Sequence, residues 1–230
     1  VSMLRPLLTP GEEPEIMAET ELAWRQLSGE PVLGVTGTSG KTTTTSLCAA
    51  MLKEQGLTVF TGGNIGTPLS EYILSGEKAD VVVLELSSFQ LQTCSTLHPR
   101  VGILLNISEN HLDFHKDMED YCDAKGKLFG ICDTGCVNAD DAWMPRLIKN
   151  ATCRLMCYST KSAADLTAEH IALHSDGVEF DAVSGGERAH VRLGIPGAFT
   201  VYNALGVIQA AQALGLPLEK IAAALSTAQG

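Results

Sequence analysis

Residues 31 to 55 constrain the fold more than any other stretch. Pro31-Val32-Leu33-Gly34-Val35 is an apolar strand candidate, residues 34 to 43 read Gly-Val-Thr-Gly-Thr-Ser-Gly-Lys-Thr-Thr, and a helical pattern follows to about Gln55. A strand running through a glycine-rich turn into a helix is the arrangement that grips a nucleotide triphosphate. Gly37 and Gly40 let the backbone turn tightly, so that the amides of Gly37, Thr38, Ser39 and Gly40 can point at phosphate oxygens. The helix N-terminus adds partial positive charge, Lys41 reaches the outer phosphates, and Thr42 offers its hydroxyl to magnesium, with Thr43 continuing the turn. Val35 stands where the longer form of this loop has its first glycine, so the chain carries the shorter Gly-x-x-Gly-Lys-Thr.

Beyond the loop, apolar runs alternate with helical patterns. Strands are expected at 32–36, 57–61, 80–86, 101–106 and 135–138, and helices at 41–55, 67–75, 117–130 and 140–149. Val81 to Leu84 and Val101 to Leu105 are continuously apolar, as parallel strands covered on both faces should be. The spacing predicts an α/β fold: a doubly wound, mostly parallel sheet. From about 153 to 193 short β-like pieces (Val178 to Phe180, His190 to Leu193) flank Ser184-Gly185-Gly186, which predicts a small antiparallel β annex. Two helices follow, Val201 to Leu214 and Leu218 to Ser226. Residues 1 to 30 hold several prolines and an acidic patch, then an amphipathic helix candidate over Ile16 to Leu27 with Leu22, Trp24 and Leu27 inward. They read as a connector against a main domain at 31–230.

Composition narrows the function. The 230 residues are 45% hydrophobic and 19% charged, and the net charge of −11 leaves no basic face for a nucleic-acid backbone. No run is long and apolar enough for a membrane span, and no leader is evident, so a cytoplasmic location is expected. The seven cysteines are an odd number scattered through apolar segments, which suits reduced core thiols. Cys132-x3-Cys136 and Cys153-x3-Cys157 lack the tighter two-residue spacing of zinc ribbons. Oligomeric state leaves no mark in the sequence.

In doubly wound sheets ligands sit at the carboxyl ends of strands, and those ends are polar here. Glu85 ends one strand beside the phosphate loop, placed to bind magnesium; the competing reading is a helix cap at Ser87 and Ser88 with Glu85 merely paired. After the next strand, His111 offers an imidazole to a second metal, with Asp113 able to orient it. In the 117–130 helix, Tyr121, Ala124, Leu128 and Phe129 form the apolar stripe. Lys125 falls on that face, whereas Lys127 is expected to point outward with Asp123. A buried lysine has a lowered pKa, and carbon dioxide can convert its neutral amine to a carbamate, a carboxylate on a long arm. Asn64, in Gly62-Gly63-Asn64-Ile65-Gly66, adds an amide after the second strand. Asn203 either reads an adenine edge or caps its own helix.

Together these segments resemble the Mur ligases, ATP-dependent amino-acid ligases of peptidoglycan precursor synthesis. The phosphate loop, Glu85 to Leu91, His111-Leu112-Asp113, Tyr121-x-x-Ala124-Lys125 and Asn138-Ala139-Asp140-Asp141 stand in family order. Gly62 to Gly66 and Glu85 to Leu91 look most like the D-glutamate-adding members, while Thr200 to Asn203 and His111 to His115 lean toward the diaminopimelate- or lysine-adding ones. Folylpolyglutamate synthase-like ligases and partner-dependent modules share the core. The resemblance implies ATP and two Mg2+ ions, the first at Thr42 and Glu85, the second at His111 and carbamylated Lys125. It places Asn64 near the reacting groups and Asn203 near adenine, and it implies a UDP-N-acetylmuramoyl substrate and an amino acid as partners. Ser39, Asn110 and Phe199-Thr200 depart from the usual family residues. Family members have three domains, so the resemblance implies a central ATPase domain that alone does not ligate.

Overall fold

The computed structural model describes residues 15, 17–110 and 113–227, and its strands fall where the sequence is continuously apolar. β1 (Val32–Thr36), β3 (Val81–Glu85) and β4 (Val101–Leu104) are buried at every position and pair in parallel. Alternate residues of one strand enter opposite cores: Val81 and Val83 pack with one helix layer, Val82 and Leu84 with the other. β2 (Val59–Gly63) forms the edge beside β3, and β5 (Thr134–Asn138) and β6 (Arg154–Ser159) extend the sheet past β4. The order is β2-β3-β1-β4-β5-β6-β7-β8-β9. The chain thus builds outward on one side of β1 through β2 and β3, then on the other from β4. The carboxyl end of β1 lies at that reversal, where open α/β sheets bind ligands.

The antiparallel strands are present, but they are an extension of the same sheet. β7 (Leu166–Leu173), β8 (Val178–Ser184) and β9 (Glu187–Leu193) pair antiparallel, while β7 also joins β6 in parallel through Tyr158 and Ser159. Val178, Phe180, Ala182, Val191 and Leu193 enter the core that holds Val35 and Ile103, which is why the strands do not separate into a unit of their own. Gly185 and Gly186, both at positive φ, close the β8–β9 hairpin.

α2 (Lys41–Glu54), α7 (Ala198–Ala213) and α8 (Leu218–Thr227) cover one face of the sheet. α1 (Glu19–Trp24), α3 (Leu69–Ser75), α4 (Ser88–Thr93), α5 (Met118–Gly126) and α6 (Met144–Leu147) cover the other.

Four elements differ from expectation. The 117–130 helix is α5 followed by a 3-10 turn at Lys127–Gly130. The 140–149 helix shrinks to α6, because Asp141 spends its carboxylate on the amides of Ile107 and Trp143 and fixes a turn there. α4 was read only as a possible cap, yet Ser87 and Gln90 form a full capping box for it.

The connector helix is the fourth. It is confined to Glu19–Trp24; Leu22 is exposed, and Thr20, Glu21 and Ala23 face inward. Polarity points inward because Glu21, fully buried, accepts the amides of Ser95, Thr96 and Leu97 at 2.9–3.1 Å, the hydroxyls of Ser95 and Thr96, and the Arg25 guanidinium. Burial alone would raise its pKa, but these donors hold the carboxyl at about 2.

Candidate active site

The phosphate loop is pressed between β4 and α7. Gly37 has φ +153°, and a Cβ there would lie 3.0 Å from the Leu105 side chain. Gly40 has φ +82°, and a Cβ there would lie 2.4 Å from Asn203 Oδ1. These two close approaches are what the glycines are for. Asn106 stitches the loop from below: its side chain accepts from Ser39 N at 2.9 Å and donates to Ser39 O at 3.0 Å, while its carbonyl accepts from Thr38 N. Thr38 Oγ1 meets Ser108 N at 3.0 Å and Tyr121 Oη at 3.1 Å. Asn106 and Tyr121 are therefore the loop's scaffold. Sequence reading placed neither there, although a polar residue ending a buried strand was the available signal. The N-terminus of α2 has no side-chain cap, so its first amides stay free for an anion. Lys41 bends back over the loop, its Nζ donating to Thr38 O at 3.0 Å, and Thr43 follows it, half-buried, in the first turn.

Glu85 ends β3 beside this loop with only 2% of its surface exposed. Its two oxygens are divided: Oε2 accepts from Thr42 Oγ1 at 2.9 Å and Oε1 from Asn64 Nδ2 at 2.9 Å. The structure thus brings Lys41, Thr42, Glu85 and Asn64 to one point. The cap at Ser87 is present, as the competing reading has it, with Glu85 paired to Thr42 and Asn64. Glu85 and Thr42 are hard oxygen donors, which suits magnesium. Among the described residues no group of three or more His, Cys, Asp and Glu stands together as a metal cage. An ion at Glu85 would complete its shell with phosphate oxygens and water, as magnesium commonly does.

Lys125 is 2% exposed, as its place on the apolar face predicts. Its Nζ donates to Thr36 Oγ1 at 3.2 Å and lies 5.0 Å from the Tyr121 ring centroid. Burial, then the nearby Lys41 charge, brings its pKa down to about 7, with Glu85 pulling the other way. Lys127 does not accompany Asp123. It is half-buried and donates to the carbonyls of Gln92 and Cys94, because the 3-10 turn swings it toward the end of α4; Asp123 holds Arg146 instead.

His111 lies outside the described residues, and Asp113 beside it is exposed. Asn203 is buried against Gly40 and does not cap its helix, since Gly197 occupies the cap with no side-chain bond to it. Cys136 and Cys157 lie in β5 and β6, and burial pushes their thiols up. The site is a rim of strand-end loops. The clefts of about 560 and 680 Å³ lie elsewhere, at the amino ends of β1 and β4 and along the β2 edge, and contain none of these side chains.

Residues 35–211 match the family model described as the Mur ligase middle domain. The UDP-N-acetylmuramoylalanine–D-glutamate ligase of Nitratidesulfovibrio vulgaris is 65% identical over 141 residues, covering 61% of this chain and 31% of that protein. The enzyme of the same name from Thermoanaerobacter pseudethanolicus is 36% identical over 222 residues, covering 94% of this chain and 48% of its own length. The matches therefore cover 31% to 48% of these relatives' length. The structure of MurF ligase from Thermotoga maritima in complex with ADP superposes with a TM-score of 0.76 at 22% identity, covering 92% of this chain and 52% of that one.

Proposed function

Because this chain belongs to the Mur ligase family, we propose that it is the ATP-binding central domain of a ligase that adds D-glutamate to UDP-N-acetylmuramoyl-L-alanine. The observation that carries the reading is the Glu85 carboxylate, held between Thr42 of the phosphate loop and Asn64, with the buried Lys125 amine bonded to Thr36 at the carboxyl end of the neighbouring β1. The names of the 65% and 36% identical relatives support the choice of amino acid, and the ADP bound to the Thermotoga neighbour supports the nucleotide. Residues 31–230 are assigned to the ATP-binding domain and 1–30 to the connector. The sites for the nucleotide-sugar and the incoming amine are expected in the parts of the relatives this chain does not match, so residues 1–230 alone should not form the amide. The location proposed is cytoplasmic; among the described residues no helix is long and apolar enough to cross a membrane.

On this reading the amides of Gly37 and Gly40, the start of α2 through Thr43, and Lys41 hold the ATP phosphates, while Thr38 and Ser39, whose amides Asn106 takes, fix the shape of the loop, and Asn203 lies near the adenine. Thr42 and Glu85 would hold one magnesium ion, and His111 with carbamylated Lys125 a second. Two such ions would supply charge neutralisation for phosphoryl transfer. The Lys125 nitrogen, neutral in part at pH 7, attacks carbon dioxide and loses a proton to give the carbamate. The substrate carboxylate then attacks the γ-phosphorus, ADP leaves, and the acyl phosphate is opened at its carbonyl carbon by the amine, releasing phosphate. Asn64, beside Glu85, orients the reacting groups.

The test is ADP release by the full-length protein, given UDP-N-acetylmuramoyl-L-alanine and each amino acid in turn. Release that depends on D-glutamate is expected, and release driven by another amino acid instead would overturn the assignment. In calorimetry, Lys41→Ala should lose ATP binding; affinity equal to the parent's would refute the phosphate-loop role.

A further inference from the structure

His115 sits in the loop between β4 and α5 and is 1% exposed. Its Nε2 meets Ser88 Oγ at 2.9 Å and its Nδ1 meets Asp120 Oδ2 at 3.0 Å. A carboxylate can only accept, so Nδ1 carries a proton toward Asp120, and Nε2 exchanges the remaining bond with the Ser88 hydroxyl. The order Ser–His–Asp imitates a hydrolase triad, but Ser88 is itself 1% exposed and cannot meet a substrate. The trio is a clamp.

What it clamps is informative. Ser88 opens α4 three residues after Glu85, and Ser87, between them, is fixed by the Gln90 side chain. Asp120 stands in the first turn of α5, five residues before Lys125. The Asp120 carboxylate also takes the Lys116 amide, and its own amide is capped by Asp117. The Tyr121 ring lies 5.1 Å from the imidazole while its hydroxyl reaches Thr38 of the phosphate loop. Phe89 stacks parallel to the imidazole at 5.8 Å. One buried ring thus joins the turn that follows Glu85 to the helix that carries Lys125, and both to the phosphate loop.

We propose that His115 is a positioning residue for the ligase reaction: it holds the Glu85 side and the Lys125 side of the site at a fixed separation, and so sets the spacing of the two metal positions. The inference rests on the proposed function above. It divides ATP binding from catalysis, because the phosphate loop keeps its own ties to Asn106 and Gly40 keeps its contact with Asn203 without His115. Loss of a side chain that orients metal ligands typically costs about 10–100-fold in metal affinity or activity.

The experiment uses the full-length protein with His115→Ala, His115→Asn, which retains a donor toward Asp120, and Ser88→Ala. Two readouts are taken: ligation kinetics, and Mn2+ binding by electron paramagnetic resonance with a non-hydrolysable ATP analogue. In His115→Ala, kcat should fall about 10–100-fold with the KM for ATP nearly unchanged, and the second Mn2+ should bind about tenfold more weakly. His115→Asn and Ser88→Ala should lie between this variant and the parent. The proposal is overturned if folded variants bind two Mn2+ ions as the parent does, or if kcat and the ATP KM change together. If His115→Ala does not fold, the same criteria apply to the other two. A parent protein that forms no ADP with any amino acid refutes the functional reading instead, while the Mn2+ measurement still judges the clamp.

Discussion

The connector and the active site each bury a charged side chain, and they treat it in opposite ways. Glu21 is surrounded by donors from Ser95, Thr96, Leu97 and Arg25, which keep it ionised down to about pH 2. Lys125, equally buried, has one hydroxyl and the face of a tyrosine, and its pKa falls to about 7. A buried charge that the fold satisfies is a fastening. One left undersatisfied, among groups otherwise well bonded, costs stability and survives where its reactivity is used.

Five substitutions probe this contrast. In the full-length ligase Lys125→Ala should lower kcat by about 10²–10³-fold, the range seen when a group that stabilises transition-state charge is removed. Added acetate should restore part of the activity by standing in for the lost carboxylate, and Lys127→Ala should keep kcat near the parent's. Full activity in Lys125→Ala would remove the reason for its burial.

Glu21→Gln should cost about 3 kcal/mol in urea unfolding, by leaving buried amides poorly met. The sign with pH follows from the lowered carboxyl pKa. Its stabilisation is complete above the unfolded value of about 4.3 and is lost as pH falls through about 2, so parent and variant should converge only in that acid window. A constant gap down to pH 2 would contradict it.

Lys125→Met should act in the other direction, stabilising by about 2 kcal/mol at pH 6 through relief of the buried charge. The folded lysine sheds its proton near pH 7 and the unfolded one near 10.4, so the variant's advantage is full below about 7 and shrinks toward 10.4. An advantage that grows with pH would refute the burial argument. The smallest effect is expected at Gln209, fully buried in α7 with no hydrogen-bond partner for either amide atom among the described residues. Gln209→Met should gain about 1 kcal/mol in thermal unfolding with ligation unchanged. Destabilisation would mean that the amide is bonded after all.

The parallel sheet, the phosphate loop, Glu85 and the inward turn of Lys125 were legible because each rests on local pattern: a continuous apolar run, a glycine turn, a strand end, a helical stripe. What was missed depends on contacts far apart in the chain. Glu21 faces inward because amides some 75 residues later await it. The continuity of β7 with β6 rests on two paired residues. Asn203 reads either as an adenine contact or as a cap of α7, and only Gly197 at the cap and Gly40, brought against it by the packing of α7 on α2, set the cap aside. His115 reads only as part of a segment resembling the diaminopimelate- or lysine-adding members, and its partners Ser88 and Asp120 lie on different helices.

α7 lies across β4, β5, β6, β7 and β8 and against α2, and its buried residues fill the centre of the larger core. During synthesis this has a consequence for timing. Until about residue 213 has left the ribosome, one face of β4 to β8 has no cover and Ile103 and Phe180 have no partner layer, whereas α2 already lies over β1 to β3. The nucleotide loop gains its contact between Gly40 and Asn203 only when α7 arrives. Through that interval the apolar side of β4 to β8 stays exposed, the condition under which a folding intermediate is open to aggregation and to chaperones.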